Sequence, residues 1–453
     1  MNPEGDTIAA VATPPGRGGI GVVRISGPDA LQIGSTLAGR SLRPRHAHHC
    51  LMRNPSGELL DEGLVIAFHA PASFTGEDVV ELQGHGGPVV LDRVLRACLA
   101  LGARVARPGE FSERAFLNDR LDLAQAEAIA DLIDSASEAA ARGALQTLQG
   151  AFSGRIHELM DAVTALRVYV EAALDFPDEE LDFLADGDVA GRLEKLRSRV
   201  EEVRHEAGRG VLLTDGLSLV LAGAPNAGKS SLLNALARRD RAIVTEVPGT
   251  TRDVLRESVD LDGIPLHLID TAGLRDTLDL VEAEGVRRAR AEIGSADCLL
   301  FLVDAAAGEA SPRSREEVGA LVGAAIPERV VLVHNKIDLT GESAGVTAGA
   351  LTRVAVSLKT GEGMEALVSH LKELVGYVDA GQSQYTARTR HLDALERAGR
   401  ALADAASTLE ATGAGDLVAE DLRRGHDALG EIVGALSADD LLGEIFSSFC
   451  IGK

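Results

Sequence analysis

The chain has 453 residues, 45% hydrophobic and 25% charged, with a formal net charge of −24 at pH 7. That length allows about three domains of ~150 residues with full cores. There is no apolar run near the ~20 residues of a membrane span, no basic-then-apolar leader in MNPEGDTIAA, and no paired spacing among Cys50, Cys98, Cys298 and Cys450. A cytoplasmic globular protein without a membrane partner, a disulfide framework or a zinc ribbon is therefore expected.

Residues 1–120 read as a mixed α/β domain. DTIAAVATPPGRGGIGVVRISG gives strands over 8–12 and 21–25 around the turn Thr13–Gly19. The turn lacks a Lys-Ser pair and a following helix, so it is a hairpin connection and not a phosphate loop. A helix over 28–37, strands over 63–68 and 78–82, and a helix over 88–101 follow. Gln83-Gly84-His85-Gly86-Gly87 reads as a tight loop. Arg45-His46-Ala47-His48-His49-Cys50 invites a metal, but adjacent ligands on an extended segment face opposite ways and no second cluster completes a tetrahedron. A solvated loop entering a strand is expected there.

From Leu121 the pattern changes to Ala-rich segments with apolar residues three and four apart, the mark of long helices. The run breaks at Asp175-Phe176-Pro177 and resumes over 189–208. Residues 121–214 carry 9 basic and 19 acidic residues, as solvated helix faces do. Residues 215–378 alternate strands and helices, the pattern of a parallel sheet covered on both sides. Residues 379–453 are helical again. Ser437-x-x-Asp440 resembles a capping box before a last helix with Leu441, Leu442, Ile445, Phe446 and Phe449 on one face. Residues 1–120 carry 12 Arg against 13 Asp and Glu, so almost all the negative charge lies beyond them. An RNA partner must then be held by a local patch or by a second, basic protein.

Within 215–378, LSLVLAGAPNAGKSSLL (217–233) runs strand, glycine-bounded loop, helix, the setting in which G-x-x-x-x-G-K-[ST] holds a nucleoside triphosphate. The loop N–H groups of Asn226, Ala227, Gly228, Lys229, Ser230 and Ser231 can turn towards phosphate oxygens at a helix N-terminus. Lys229 can reach the β- and γ-phosphates, and the Ser230 hydroxyl can ligate Mg²⁺. Thr245-Glu246-Val247-Pro248-Gly249-Thr250-Thr251-Arg252 follows, with Thr251 as a second Mg²⁺ hydroxyl. Asp270-Thr271-Ala272-Gly273 ends a strand, so that Asp270 can face the metal's water shell and the Gly273 N–H can sense the γ-phosphate. Asn335-Lys336-Ile337-Asp338 ends another. Asp338 can accept from guanine N1–H and its amino group, an edge adenine lacks, so the nucleotide is GTP. Ser357-Leu358-Lys359 fits a loop over the base. Five motifs in this order describe a Ras-like P-loop GTPase. The fold class is thus multidomain: an α/β domain (1–120), a helical domain in two halves (121–214 and 379–453), and the GTPase domain (215–378) inserted between them.

Leu274 stands where Ras-like switches carry the water-orienting glutamine. Asn226 offers an oxygen suited to a monovalent cation, Glu282 could reach the water through a bridge, and Arg252 and Arg275 are candidate cis arginine fingers. The residues alone leave these open.

The chain resembles the tRNA-modification GTPase MnmE (TrmE) family along its whole length. The resemblance rests on DTIAAVATPPGRGGIGVVRISG, RPGEFSERAFLNDRLDL, LDFPDEE, GAPNAGKSSLLNAL, VPGTTRD, DTAGLR and the terminal FCIGK. It implies K⁺-dependent GTP hydrolysis with dimerisation, K⁺ being held by Asn226, Thr245, Val247 and Thr250, Mg²⁺ by Ser230 and Thr251, and water oriented by Glu282. Arg252 and Arg275 then become switch residues. It further implies a homodimerising N-terminal domain that binds a 5-formyl-tetrahydrofolate-type donor through Arg24, Glu81, Arg120 and Lys453. Arg120 replaces the lysine expected there, and a planar fork is not a point charge. The last helix could deliver the tail to that site, where a nearby lysine could lower the Cys450 thiol pKa and make it a nucleophile or acid. With an FAD-containing partner the family installs an aminomethyl-type group on C5 of the wobble uridine of tRNA. The alternative is a GTP switch in ribosome assembly, with the N-terminal domain only a dimerisation platform.

Overall fold

The computed structural model describes residues 5–175, 188–239, 256–261, 264–270, 296–307, 311–322, 325–374, 385–435 and 439–447, with residues 294, 449, 450 and 452. Two compact units emerge: residues 1–130, 148–197 and 397–453 form one, and 131–147 and 198–396 the other.

In the first unit, β1 (Ile8–Val11), β2 (Gly18–Ser26), β3 (His48–Arg53), β4 (Leu59–Phe68), β5 (Val79–Gly86) and β6 (Arg104–Val105) form one sheet in the order β3-β4-β5-β2-β1-β6. β1 and β2 pair antiparallel, Ile8 opposite Ser26, so the expected turn is a hairpin connection, except that Gly18 and Gly19 already belong to β2. Val23, Ile25, Val65, Ala67, Val80 and Leu82 alternate onto one face, as a period of two requires. Helices α1 (Ala30–Ala38) and α2 (Pro88–Ala100) cover that face through Ile33, Leu37, Leu91 and Val94.

The opposite face is covered only in part. Ile8 and Ala10 pack with Ala106 and with Phe111 of α3 (Glu110–Leu117). Further along the sheet Leu51 and Leu64 are exposed. The segment read as a tight loop, Gln83–Gly86, is instead the end of β5. Its glycines serve close packing: a Cβ on Gly84 would lie 2.2 Å from Asp61 Oδ2, and one on Gly86 2.7 Å from the Gly18 and Ile20 carbonyls.

The long helix α6 (Ala151–Asp175) buries Phe152, Ile156, Leu159, Val163, Leu166 and Val170, a stripe at alternating three- and four-residue steps. It packs against α13 (Gly415–Val433), which follows α12 (Thr389–Thr412) in the chain and presents Val418, Leu422, Leu429 and Ile432, two amphipathic faces closing on each other. The terminal helix α14 (Asp439–Ser447) lies on α3, with Ile445, Phe446 and Phe449 packed among Phe116, Leu123 and Ala126. Leu123 and Ala126 belong to α4 (Leu123–Asp134). The serine of the capping box, Ser437, lies outside the described residues.

Helix α7 (Val189–Asp215), which belongs to the second unit from residue 198 on, extends past the expected end at 208 and gives way at Gly216, in left-handed backbone at φ 69, to β7 (Leu217–Gly223). Then come α8 (Lys229–Arg239), β8 (Arg256–Leu261), β9 (Ile264–Asp270), β10 (Cys298–Asp304), α9 (Arg315–Val322), β11 (Arg329–Asn335), α10 (Ile337–Thr340), β12 (Gly345–Thr347), β13 (Thr352–Ala355) and α11 (Met364–Leu374). The sheet order is β12-β13-β11-β10-β7-β9-β8. β9, β7, β10, β11 and β13 run parallel, with antiparallel β8 and β12 at the edges. Both faces are buried, one by Leu219, Leu221, Leu300 and Leu302 and the other by Val220, Ala222, Leu299 and Phe301. That explains the unbroken apolar runs of these strands. Helix α5 (Glu138–Leu148) adds Ala140 to the first of these cores.

Candidate functional site

The chain leaves β7 for β9 on one side and returns to β10 on the other, so the strand order reverses between β7 and β10. Open parallel sheets bind ligands beyond the carboxyl ends of their strands at such a point. Gly223 stands there at φ 140, and a Cβ on it would lie 2.4 Å from the Leu302 carbonyl. Gly228 has φ 112, and a Cβ would lie 2.4 Å from Asn335 Nδ2. Both positions exclude a side chain for two reasons, backbone conformation and room. Between them Asn226 adopts φ 67 and is exposed, a left-handed state that asparagine tolerates better than most residues. Ala227 is buried, and Ser230 and Ser231 are exposed in the first turn of α8. Lys229 Nζ donates to the Gly223 and Ala224 carbonyls at 2.8 and 3.1 Å, folding its ammonium over the loop mouth.

Asn335, 4% exposed, joins three segments distant in sequence. Its Nδ2 donates to the Ala227 carbonyl at 2.8 Å. Its Oδ1 accepts from the Lys336 N–H at 2.7 Å and the Leu358 N–H at 3.2 Å. The buried Ser357 hydroxyl donates to Asp338 Oδ1 at 2.7 Å and accepts from the Thr360 N–H at 3.2 Å, which fixes the exposed Asp338 carboxylate. Lys336, at φ 69, reaches Asp304 Oδ2 at 2.5 Å. That ammonium holds the Asp304 carboxyl below the usual carboxylate range. Lys359 is exposed beside this group. The structure therefore brings together Asn226–Ser231, Asn335, Lys336, Asp338 and Ser357–Lys359. It also places the end of β9 next to the loop, since Asp270 pairs with Leu221 in register. Asp304 was absent from the sequence expectations; its place at the end of an apolar strand, matching Asp270, was the available signal.

Thr245, Glu246, Val247, Pro248, Gly249, Thr250, Thr251, Arg252, Thr271, Ala272, Gly273, Arg275 and Glu282 lie outside the described residues, as does Lys453.

A second polar group sits on the half-covered face of the first unit's sheet. Arg24 and Glu81 are cross-strand neighbours, and Arg24 Nε and Nη2 donate to Glu81 Oε1 at 3.1 and 2.9 Å. The Arg24 guanidinium lies 5.2 Å from the Phe74 ring centroid and 5.7 Å from that of Phe111, within cation–π range. Gln83 Nε2 donates to the other Glu81 oxygen at 3.3 Å. Phe74, Phe111 and Gln83 were not singled out from the sequence, because nothing local marks a ring or an amide that acts across strands. Arg120 is exposed against the same Phe74–Glu77 loop, where a Cβ on Gly76 would come 3.2 Å from its Cγ.

The C-terminal tail returns to this domain. The Gly109 N–H donates to the Cys450 carbonyl at 3.4 Å. A Cβ on Gly452 (φ 97) would meet the Val11 carbonyl at 2.3 Å. Cys450 itself is exposed. The histidines of 46–49 form no metal cluster among the described residues. Among the described residues, no helix is long and apolar enough to cross a membrane.

Comparison with known proteins places these sites in a family. A family model described as the GTP-binding protein TrmE N-terminus matches residues 7–120, and one described as the MnmE helical domain matches residues 123–450. The chain is 58% identical over 455 residues to the tRNA modification GTPase MnmE of Stutzerimonas stutzeri (strain A1501), covering 100% of both. It is 58% identical over 450 residues to that of Pseudomonas aeruginosa (strain UCBPP-PA14), covering 99% of both. With a phosphate-type loop, an Asn335-centred base end and full-length relatives of one kind, the chain belongs to the MnmE family of tRNA modification GTPases.

Proposed function

We propose that this GTPase is K⁺-dependent and works as a homodimer with an FAD-containing partner. In this reading it modifies C5 of the wobble uridine of certain tRNAs with a one-carbon unit from a 5-formyl-tetrahydrofolate-type donor. The boundaries 1–120, 121–214, 215–378 and 379–453 are proposed as its working domains. The observation that carries the cation assignment is Asn226, exposed and left-handed inside the phosphate loop. A short amide presented there can give its oxygen to a K⁺ held with Thr245, Val247 and Thr250. A cation at that point offsets charge developing on the γ-phosphoryl group, the task of an arginine finger elsewhere.

The other groups fit on similar grounds. Ser230 is exposed at the start of α8, and the Leu221–Asp270 pairing supports Ser230, Thr251 and Asp270 as the Mg²⁺ side of the site. Mg²⁺ would neutralise charge on the β- and γ-phosphates. Glu282 would orient water, with Arg252 and Arg275 as switch residues. For guanine, the Ser357–Asp338 bond supports a carboxylate held ready to accept from the base's donor edge. For the folate, Glu81 offers an acceptor to a pterin amino edge, Phe74 and Phe111 offer ring surface, and Arg24, Arg120 and Lys453 offer charge for carboxylates. The donor would supply the one-carbon unit, with Cys450 as a nucleophile or acid near it. Leu51 and Leu64, exposed on the open sheet face, support a second copy as that face's cover.

The test is paired. GTP hydrolysis by the purified protein is measured in K⁺ and in Na⁺, and C5-modified wobble uridine is quantified by mass spectrometry of tRNA from cells carrying Asp270→Asn. Equal rates in the two salts would sink the cation assignment. Unchanged modification in the variant would sink the coupling of hydrolysis to the reaction.

A further inference from the structure

The family acts on tRNA, yet the chain carries a net charge of −24, so non-specific attraction to a polyanion is unavailable to it. One stretch departs from that background. Between Asp29 and Glu58 there is no acidic residue, while Arg40, Arg43, Arg45, His46, His48, His49 and Arg53 all fall within it. The first six of these lie around the turn that enters β3.

Among the described residues, the structure keeps the arginines of this stretch exposed and clear of carboxylates, while His48 is buried and His49 lies on Glu62. Arg40, Arg43, Arg45, His46 and His49 are exposed. In the same domain Arg24, Arg93, Arg96, Arg104, Arg107 and Arg114 each sit on a carboxylate. Among the described residues Arg40, Arg43 and Arg45 do not, nor do Arg17, Arg53 and Arg120, but only the first three cluster on one turn. Glu62 faces His49 at 3.1 Å, and Asp78 accepts from the Ala70 N–H. The turn that carries the arginines is firmly held. Pro44 bridges to Ala67, the Arg45 N–H donates to the Ala67 carbonyl at 2.7 Å, and Arg45 adopts φ 54. The Arg45 guanidinium lies 5.8 Å from the Phe68 ring and donates to the Ala72 carbonyl at 2.6 Å. His48, 2% exposed, accepts from the Arg43 N–H at 2.8 Å. That requires a neutral ring, and burial, with the charges of Arg40, His46 and Arg43 around it, keeps His48 below the usual histidine range. Left-handed backbone costs a non-glycine residue about 1–2 kcal/mol, which these contacts offset.

We infer that Arg40 and Arg43, presented by the turn that Arg45 and His48 hold in place, form a docking surface for the sugar–phosphate backbone of tRNA. Exposed guanidinium groups with no internal counter-charge are what phosphate contacts need, and such contacts position an RNA without reading its sequence. The tRNA contact does not rest on the folate reading above.

The test is tRNA binding by the full-length protein, with a wobble-uridine tRNA transcript as probe and anisotropy read over a series of salt concentrations. Each lost phosphate contact removes about 0.8 from the slope of log K against log salt. The variant Arg40→Gln/Arg43→Gln is therefore expected to lower the slope by about 1.5 and the affinity at 0.1 M salt by about 30-fold. Arg40→Lys/Arg43→Lys should retain most of both, since a phosphate contact needs charge before shape. Both variants should melt with the wild type, because the changed groups are exposed, as is the contact of Arg43 Nη2 with His46 Nε2 at 3.2 Å. A Gln variant that matches the wild-type slope and affinity overturns the proposal, as does wild-type protein that shows no salt-dependent binding. Neither result bears on the K⁺ or folate assignments.

Discussion

Asn335 offers the sharpest perturbation of the nucleotide site, because its two ends do opposite work. Asn335→Asp keeps the acceptor that serves the Lys336 and Leu358 N–H groups at 2.7 and 3.2 Å. It turns the donor to the Ala227 carbonyl into a second oxygen, and that contact is 2.8 Å in the native protein. A hydrogen bond worth about 1 kcal/mol is lost, and a buried carboxylate left facing a carbonyl adds about 2–3 kcal/mol more. Relaxation of the free loop removes that repulsion, but the loop must be re-formed when nucleotide binds. Up to about 3 kcal/mol is then charged to GTP affinity, roughly a hundredfold in Kd. Asn335→Ala loses all three bonds and should weaken binding by a similar factor.

The two variants part company with pH. Burial raises a carboxyl's pKa, and the protonated Asp can donate to Ala227 as the amide did. The Asp variant should therefore regain GTP affinity as pH falls from 8 to 5.5, while the Ala variant should not. The assay is fluorescent GTP-analogue binding by both variants and wild type across that range. An Asp variant that binds like wild type at pH 8 would refute the tether from Asn335 to the phosphate loop. Parallel pH profiles for Asp and Ala would refute the protonation argument.

Two further outcomes follow from the N-terminal domain. Burial alone would raise the Glu110 carboxyl, but hydrogen bonds from Arg104 and the Arg107 N–H outweigh it and bring it down to about 2. A depressed carboxyl contributes stability above its unfolded value near 4.5 and loses it as pH falls towards 2. The contribution is on the order of 3 kcal/mol. Glu110→Gln should flatten the acid limb of thermal melts between pH 4.5 and 2, and a limb as steep as wild type would contradict this. Gly452→Ala forces a side chain towards the Val11 carbonyl and a positive φ costing at least about 1–2 kcal/mol. The tail should detach, seen as faster hydrogen exchange at Gly109, whose N–H donates to the Cys450 carbonyl, and faster alkylation of Cys450; unchanged exchange at Gly109 would show that the tail is held some other way.

The sequence by itself determined the order of elements and the local chemistry. The 217–233 stretch forms strand, loop and helix because its glycines stand where backbone reversal and close approach leave no room for a Cβ. The apolar runs of β7, β10 and β11 mark a sheet buried on both faces. Periodicity failed at Gln83–Gly86, where glycine alternation looks like a turn. Only the neighbouring strand explains it, since Asp61 and the Gly18–Ile20 backbone fill the space that side chains would occupy. The tertiary structure alone decided that one amide, Asn335, ties residues 227, 336 and 358 together. It also decided that Arg114 reaches Asp6, Glu77 and Glu110, and that Arg40 and Arg43 meet no carboxylate among the described residues. Hydrogen bonds and ion pairs depend on separations of a few ångströms in space, and residues far apart in the chain acquire those separations only when the strands between them have found their register.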